Sequence, residues 1–151
     1  MESCIFCHIV NGEQEAVKIW EDSKHIAILD RNPNVEGMTL VLTKKHFDSY
    51  AFSMPDKDYS DLMLASKEVA TLLDSAFGTH RTAMVMEGLG VNHIHIKLYP
   101  IRGLDKKFEE TWATDRVYFE KYEGYISTQL GPRKSTQELR QIAEKIQKKT
   151  Q

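Results

Sequence analysis

The chain has 151 residues, 41% of them hydrophobic and 28% charged, with a formal net charge of −2. That length supports one domain whose core needs no disulfides, and the near-neutral charge argues against a nucleic-acid polymer or a membrane surface as partner. No apolar run approaches the roughly 20 residues that span a bilayer, and Met1-Glu2-Ser3-Cys4 lacks the basic-then-apolar order of a secretory signal, so a cytoplasmic, reducing setting is the expectation.

Cys4-Ile5-Phe6-Cys7-His8-Ile9-Val10 comes first and closes on Asn11-Gly12, a turn signal. Phe6, Ile9 and Val10 fit one side of a short helix. The Cys-x-x-Cys spacing lets two thiolates converge on one metal ion. It is also compatible with two buried thiols, or with a redox pair, although the latter wants a preceding strand and only three residues precede Cys4. Val17–Trp20 and His25–Leu29 have the composition of strands joined by a turn at Glu21-Asp22-Ser23-Lys24. Asp30 ends the second strand, either as a turn former or as a carboxylate at a pocket rim that accepts from hydroxyls. Thr39-Leu40-Val41-Leu42 reads as a buried strand and leads to Thr43-Lys44-Lys45-His46.

The spacing predicts one long helix over Ser53–Phe77, with Ser53 as its N-cap and Gly78 as its stop. Tyr59, Leu62, Met63, Ser66, Val69, Ala70, Leu73, Ala76 and Phe77 recur at three- and four-residue steps, which makes a core-facing stripe. Thr82–Met86 is a strand, Glu87-Gly88-Leu89-Gly90 a tight loop, and the next strand is expected to pair antiparallel with the first. That next stretch, Asn92-His93-Ile94-His95-Ile96-Lys97-Leu98-Tyr99-Pro100, alternates strictly. Successive strand side chains point to opposite faces, so His93, His95 and Lys97 share one face, about 6–7 Å apart, while Ile94, Ile96 and Leu98 pack on a core. Such a row suggests a site; a half-exposed edge strand facing water would have the same pattern. Beyond Pro100, Gly103–Glu110 is charged and expected to be exposed. Thr111–Gln129 carries Trp112, Tyr118, Phe119, Tyr122 and Tyr125 and is expected to pack on something. Gly131-Pro132 is a turn, and Ser135-x-x-Glu138 is a capping box for a last helix with Leu139, Ile142, Ala143 and Ile146 on one face.

Taken together, Cys4, Cys7, His46 and His93 supply two thiolates and two imidazoles from three separate segments. Those donors make a closed structural zinc shell, one ion per chain, and leave His95 beside the metal rather than on it.

These pieces, in this order, resemble the histidine triad (HIT) superfamily over roughly the first hundred residues. The resemblance rests on Cys4-Ile5-Phe6-Cys7, on Trp20-Glu21-Asp22 before a strand ending in Asp30, and on Asn32-Pro33. It continues through Gly37-x-Thr39-Leu40-Val41-x-x-Lys44-Lys45-His46 to His93-Ile94-His95-Ile96, which looks like the start of the family's His-φ-His-φ-His-φ-φ motif. It implies an α+β, HIT-like fold: an antiparallel sheet, one long helix across it, a single domain over 1–151 with 104–151 as a C-terminal extension, and a homodimer. It also implies a hydrolase that cleaves nucleoside phosphoramidates, dinucleoside polyphosphates or related conjugates through a covalent His95–nucleotide intermediate. A nucleotidyltransferase of the galactose-1-phosphate uridylyltransferase type, or a low-turnover nucleotide-binding module, is the alternative. By the same resemblance, Asp30 holds ribose hydroxyls and Phe6, Ile9, Ile28 and Leu29 line the base pocket, although all four are apolar and equally suited to a core. The backbone carbonyl of His93 would hold the second nitrogen of His95. The chain departs from the pattern at the third motif position, where Lys97 stands for a histidine, at Leu89 and Gly90 in the loop before the motif, and at Met38 and Thr43. An ammonium at position 97 can pair with a phosphate oxygen, or snorkel at a strand end.

Overall fold

Among the described residues, the alternating and apolar runs form five strands: β1 (Lys18–Glu21), β2 (His25–Leu29), β3 (Thr39–Thr43), β4 (Thr82–Val85) and β5 (His95–Pro100). They make one antiparallel sheet in the order β1-β2-β3-β5-β4. Helices α1 (Ile5–Val10), α2 (Asp56–Phe77) and α3 (Thr136–Lys148) complete an α+β architecture. This computed structural model describes residues 4–124 and 131–148.

The register decides what each face of the sheet carries. Ile28 pairs with Leu40 and Ile26 with Leu42; Leu40 then pairs with Lys97 and Leu42 with His95. Directly opposed residues point the same way. One face therefore carries Ile26, Ile28, Leu40, Leu42, His95 and Lys97, and it is covered by Phe6, Ile9, Val10, Ala16 and Val91. The other carries Ala27, Leu29, Val41, Ile96 and Leu98 and packs on Leu62, Ala65, Val69, Leu73 and Ala76 of α2 and Leu139, Ala143 and Ile146 of α3. β5 lies inside the sheet, between β3 and β4, with His93 0% and His95 3% exposed, so its polar row does not face water. The strand begins at His95 rather than at His93. His93 N–H donates to Val91 O and Ile94 N–H to Phe47 O, which bends the entry without disturbing the alternation.

Two expectations about helix ends have different outcomes. Ser53 does not cap α2: it closes a 3-10 turn over Ala51–Ser53, and its hydroxyl donates to Tyr50 O at 2.8 Å. The helix starts at Asp56 with Pro55 as N-cap. The proline ring pushes the preceding residue out of the helical region, and Met54 accordingly sits at ψ 150. Asp56 and Asp58 then meet the positive end of the helix, and Gly78 closes it in the left-handed conformation, φ 63. α3 does begin with the expected box: Ser135 N–H donates to Glu138 Oε2 at 2.8 Å, and Glu138 N–H donates to Ser135 Oγ at 3.2 Å.

The segment 111–124 is a correction, whereas 105–110 is exposed as its charge implied. Residues 104–124 form no helix or strand, and Trp112 and Tyr118 are 81% and 88% exposed rather than packed. The aromatics there are interleaved with Asp, Glu, Lys and Arg at no period that would gather them on one face, so no apolar stripe exists to bury. Tyr125, counted with them from the sequence, lies outside the described residues.

Candidate active site and metal cluster

α1 is only six residues long, and its position comes from Phe6, which is buried against the polar-row face of the sheet. Cys4 is the N-cap and Cys7 lies one turn further on, so both thiols point the same way. His46 follows the end of β3 and His93 precedes β5, and these are neighbouring strands. Cys7 Sγ is 3.3 Å from His46 Nδ1, and Cys4 Sγ is 3.5 Å from His93 Nδ1. One donor atom from each of the four residues lies within 4.8 Å of the others. The tautomers fit a cation: His93 Nε2–H donates to Thr43 O at 2.8 Å, which leaves the Nδ1 lone pair facing the thiols. Burial pushes the Cys7 thiol up from its ordinary value and pushes the His93 imidazole down, so burial disfavours charge on both of these groups. A divalent ion reverses that preference by holding thiolates. The cluster can hold a metal.

His95 is oriented by its neighbour. Its Nδ1–H donates to His93 O at 2.8 Å, so Nε2 carries the lone pair. Phe6 meets both imidazoles edge-on, 5.8 Å from His93 and 5.2 Å from His95 between ring centres, and holds their planes. Burial lowers the pKa of His95, and the Lys97 ammonium adds to this against the hydrogen bond to His93 O; the imidazole is therefore neutral at neutral pH.

His95 and Lys97 line a cavity of about 380 Å³. Phe6, Ile9, Ile28, Leu29 and Asp30 also line it, so all seven pocket and motif residues named from the sequence meet in one place. Asp30 fills its turn-forming role, with Oδ1 accepting from Asn32 N–H at 2.7 Å, while standing at the cavity wall. The apolar residues serve both readings: Ile28 and Leu29 are buried strand residues and cavity lining.

Sequence reasoning missed two parts of the site. The first is a further part of the lining, formed by Gln14, Glu15, Arg31 and, from α3, Thr136 and Leu139. Arg140 pairs with Glu15 at 2.9 Å, and Lys134 N–H donates to Arg31 O at 2.8 Å, which ties the C-terminal segment to the cavity mouth. Nothing local in the sequence signals this, because Leu139 reads as an ordinary core position. The second is Glu87. Lys97 Nζ is 2.5 Å from Glu87 Oε1, with the two side chains 12% and 5% exposed, and Glu87 Oε2 is buried without a hydrogen-bond partner among the described residues. The β4–β5 pairing carried a signal for it: Val85 opposes Lys97, and two residues on the next like-facing position is Glu87.

The HIT domain model matches residues 11–103. An uncharacterized HIT-like protein of Methanocaldococcus jannaschii is 34% identical over 101 residues, covering 64% of this chain and 78% of that protein. An adenosine 5′-monophosphoramidase of Saccharomyces cerevisiae is 27% identical over 120 residues, covering 79% and 75% of the two chains. The crystal structure of a hypothetical histidine triad nucleotide-binding protein from Sulfolobus tokodaii superposes with a TM-score of 0.72 at 24% identity, covering 97% of this chain and 91% of that one, and so shares the fold. A match across residues 11–103, over the sheet that aligns His95 with the cavity, identifies the chain as a member of the HIT domain family.

Proposed function

We propose that this chain is a nucleotide-binding hydrolase of the HIT type that cleaves a nucleoside phosphoramidate, dinucleoside polyphosphate or related conjugate through a covalent intermediate on His95. The observation that carries the reading is the orientation of His95: Nδ1–H is committed to His93 O, and the ring lines the cavity with its other nitrogen carrying the lone pair. Nε2 attacks the α-phosphorus, and the bond to the leaving amine or phosphate breaks with its electron pair going to that group, which takes a proton from solvent. The His93 carbonyl stabilises the positive charge left on the ring. Water then attacks phosphorus, loses a proton to solvent, and releases nucleoside monophosphate and neutral His95. Phe6, Ile9, Ile28 and Leu29 form the slot for the base, Asp30 accepts from ribose hydroxyls, and Lys97, in the third motif position, donates to phosphoryl oxygens as charge develops.

Cys4, Cys7, His46 and His93 would hold one zinc, because two thiolates and two neutral imidazoles are a complete set for that ion. Bound by these four residues, the ion would have a structural part: His93 would be held in place, and through its carbonyl the angle of His95. Residues 1–151 act as one domain and assemble as a homodimer in the cytoplasm. The test is His95→Ala. It should abolish release from a nucleoside phosphoramidate and still bind a nucleoside monophosphate, since base and ribose contacts lie elsewhere. Undiminished turnover would end the covalent mechanism.

A further inference from the structure

Lys97 is not a free cation. Its ammonium has three N–H donors, and Glu87 Oε1 takes one of them at 2.5 Å. The pair is almost wholly withdrawn from water, with Lys97 12% and Glu87 5% exposed, while Lys97 lines the cavity that His95 opens into. Glu87 Oε2 is buried and has no hydrogen-bond partner among the described residues. Gly88, next to Glu87, sits at φ 72 with a Cβ position only 2.4 Å from Ser49 O, so the backbone that presents Glu87 is held tightly against a neighbouring loop. The carboxylate is therefore a fixed anchor behind a flexible lysine.

We infer that Glu87 is a positioning residue that aims the Lys97 ammonium at the phosphoryl group and cancels its charge, so that the two residues act as one unit. This rests on the hydrolase reading of the same site. A lone buried ammonium would grip every anion alike, product monophosphate included, which lowers KM without raising kcat. Backed by Glu87, the lysine still offers two donors but little net charge, so its contribution grows only as negative charge develops on the phosphoryl oxygens in the transition state.

The experiment compares wild type, Glu87→Gln, Lys97→Met and the double variant for kcat on a nucleoside phosphoramidate and for Kd of a nucleoside monophosphate. Glu87→Gln should lower kcat about tenfold while binding the monophosphate several-fold more tightly, because the freed ammonium turns to the phosphate. That split separates positioning from damage, which would weaken binding. In the Lys97→Met background, Glu87→Gln should cause no further loss of kcat. The proposal is overturned if the two losses multiply in the double variant, or if Glu87→Gln keeps wild-type kcat. Should Glu87→Gln fail to fold, the comparison becomes Lys97→Met against Glu87→Met/Lys97→Met, in which a volume-matched apolar pair fills the site. Equal kcat then supports the unit, and a further loss overturns it. If wild type turns over no nucleotide conjugate, the hydrolase reading fails by itself. Tighter monophosphate binding by Glu87→Gln would still support the pairing, and unchanged binding would overturn it.

Discussion

Removing the zinc proposed for the Cys4, Cys7, His46 and His93 cluster should lower the melting temperature by about 8–18 °C. The magnitude follows from which parts of the chain the cluster joins. Cys7 and His46 are separated by 39 residues and Cys4 and His93 by 89. Closing loops of those lengths in the unfolded chain is worth about 4–4.5 kcal/mol on the chain-entropy treatment of a cross-link, and the closures are nested rather than additive. Each 1 kcal/mol moves the midpoint of a domain of this size by roughly 2–4 °C. Metal binding by thiols in the unfolded chain offsets part of the gain and favours the lower end of the range. The assay is calorimetry on zinc-loaded protein, on chelated protein, and on His46→Ala. His46 is the ligand to change because, unlike His93, it does not also orient His95. His46→Ala should melt where the chelated wild type melts, and chelator should not lower it further. Chelated and zinc-loaded wild type melting within about 2 °C of each other would refute the clip.

Gly131→Ala should raise KM for the nucleotide substrate several-fold with little change in kcat. The added Cβ would lie 1.9 Å from Pro33 O, so the backbone at 131 must move away from the loop that carries Arg31 and with it the start of α3, whereas His95 sits on β5 and is oriented by His93 O. Unchanged KM would remove α3 from the site. Amide exchange at 136–138 should quicken as the pH falls below the ordinary glutamate value near 4.3, because the Ser135 N–H and hydroxyl hold the Glu138 carboxyl below it, so the cap is complete above that value and lost as pH falls through the lowered one. Glu138→Gln should abolish that pH dependence, and its persistence would place its origin elsewhere. Light scattering should give a homodimer at micromolar concentration, and a stable monomer there would exclude it.

The parts of this protein that were legible in its sequence are those governed by local rules. The period-2 alternation from His93 to Leu98 put three polar groups on one face because strand side chains must alternate, whatever surrounds them. The stripe from Leu62 to Ala76 and the Ser135–Glu138 box likewise follow from helix geometry alone, and the family motif adds the order of its segments. Ser53 shows where a local rule yields to a stronger one: the ring of Pro55 sets the helix start, and the cap moves with it. The aromatics at 112–122 show that composition without periodicity has no face to bury. Tertiary structure alone decided the rest. Only the sheet order places β5 inside and withdraws Lys97 from water, and a withdrawn ammonium requires a counter-charge, which is how Glu87 enters the site. Part of the cavity lining comes from α3, more than a hundred residues from the helix that carries Phe6. Sequence spacing carries no information about such a contact, because it is set by which buried faces remain to be covered once the sheet has closed.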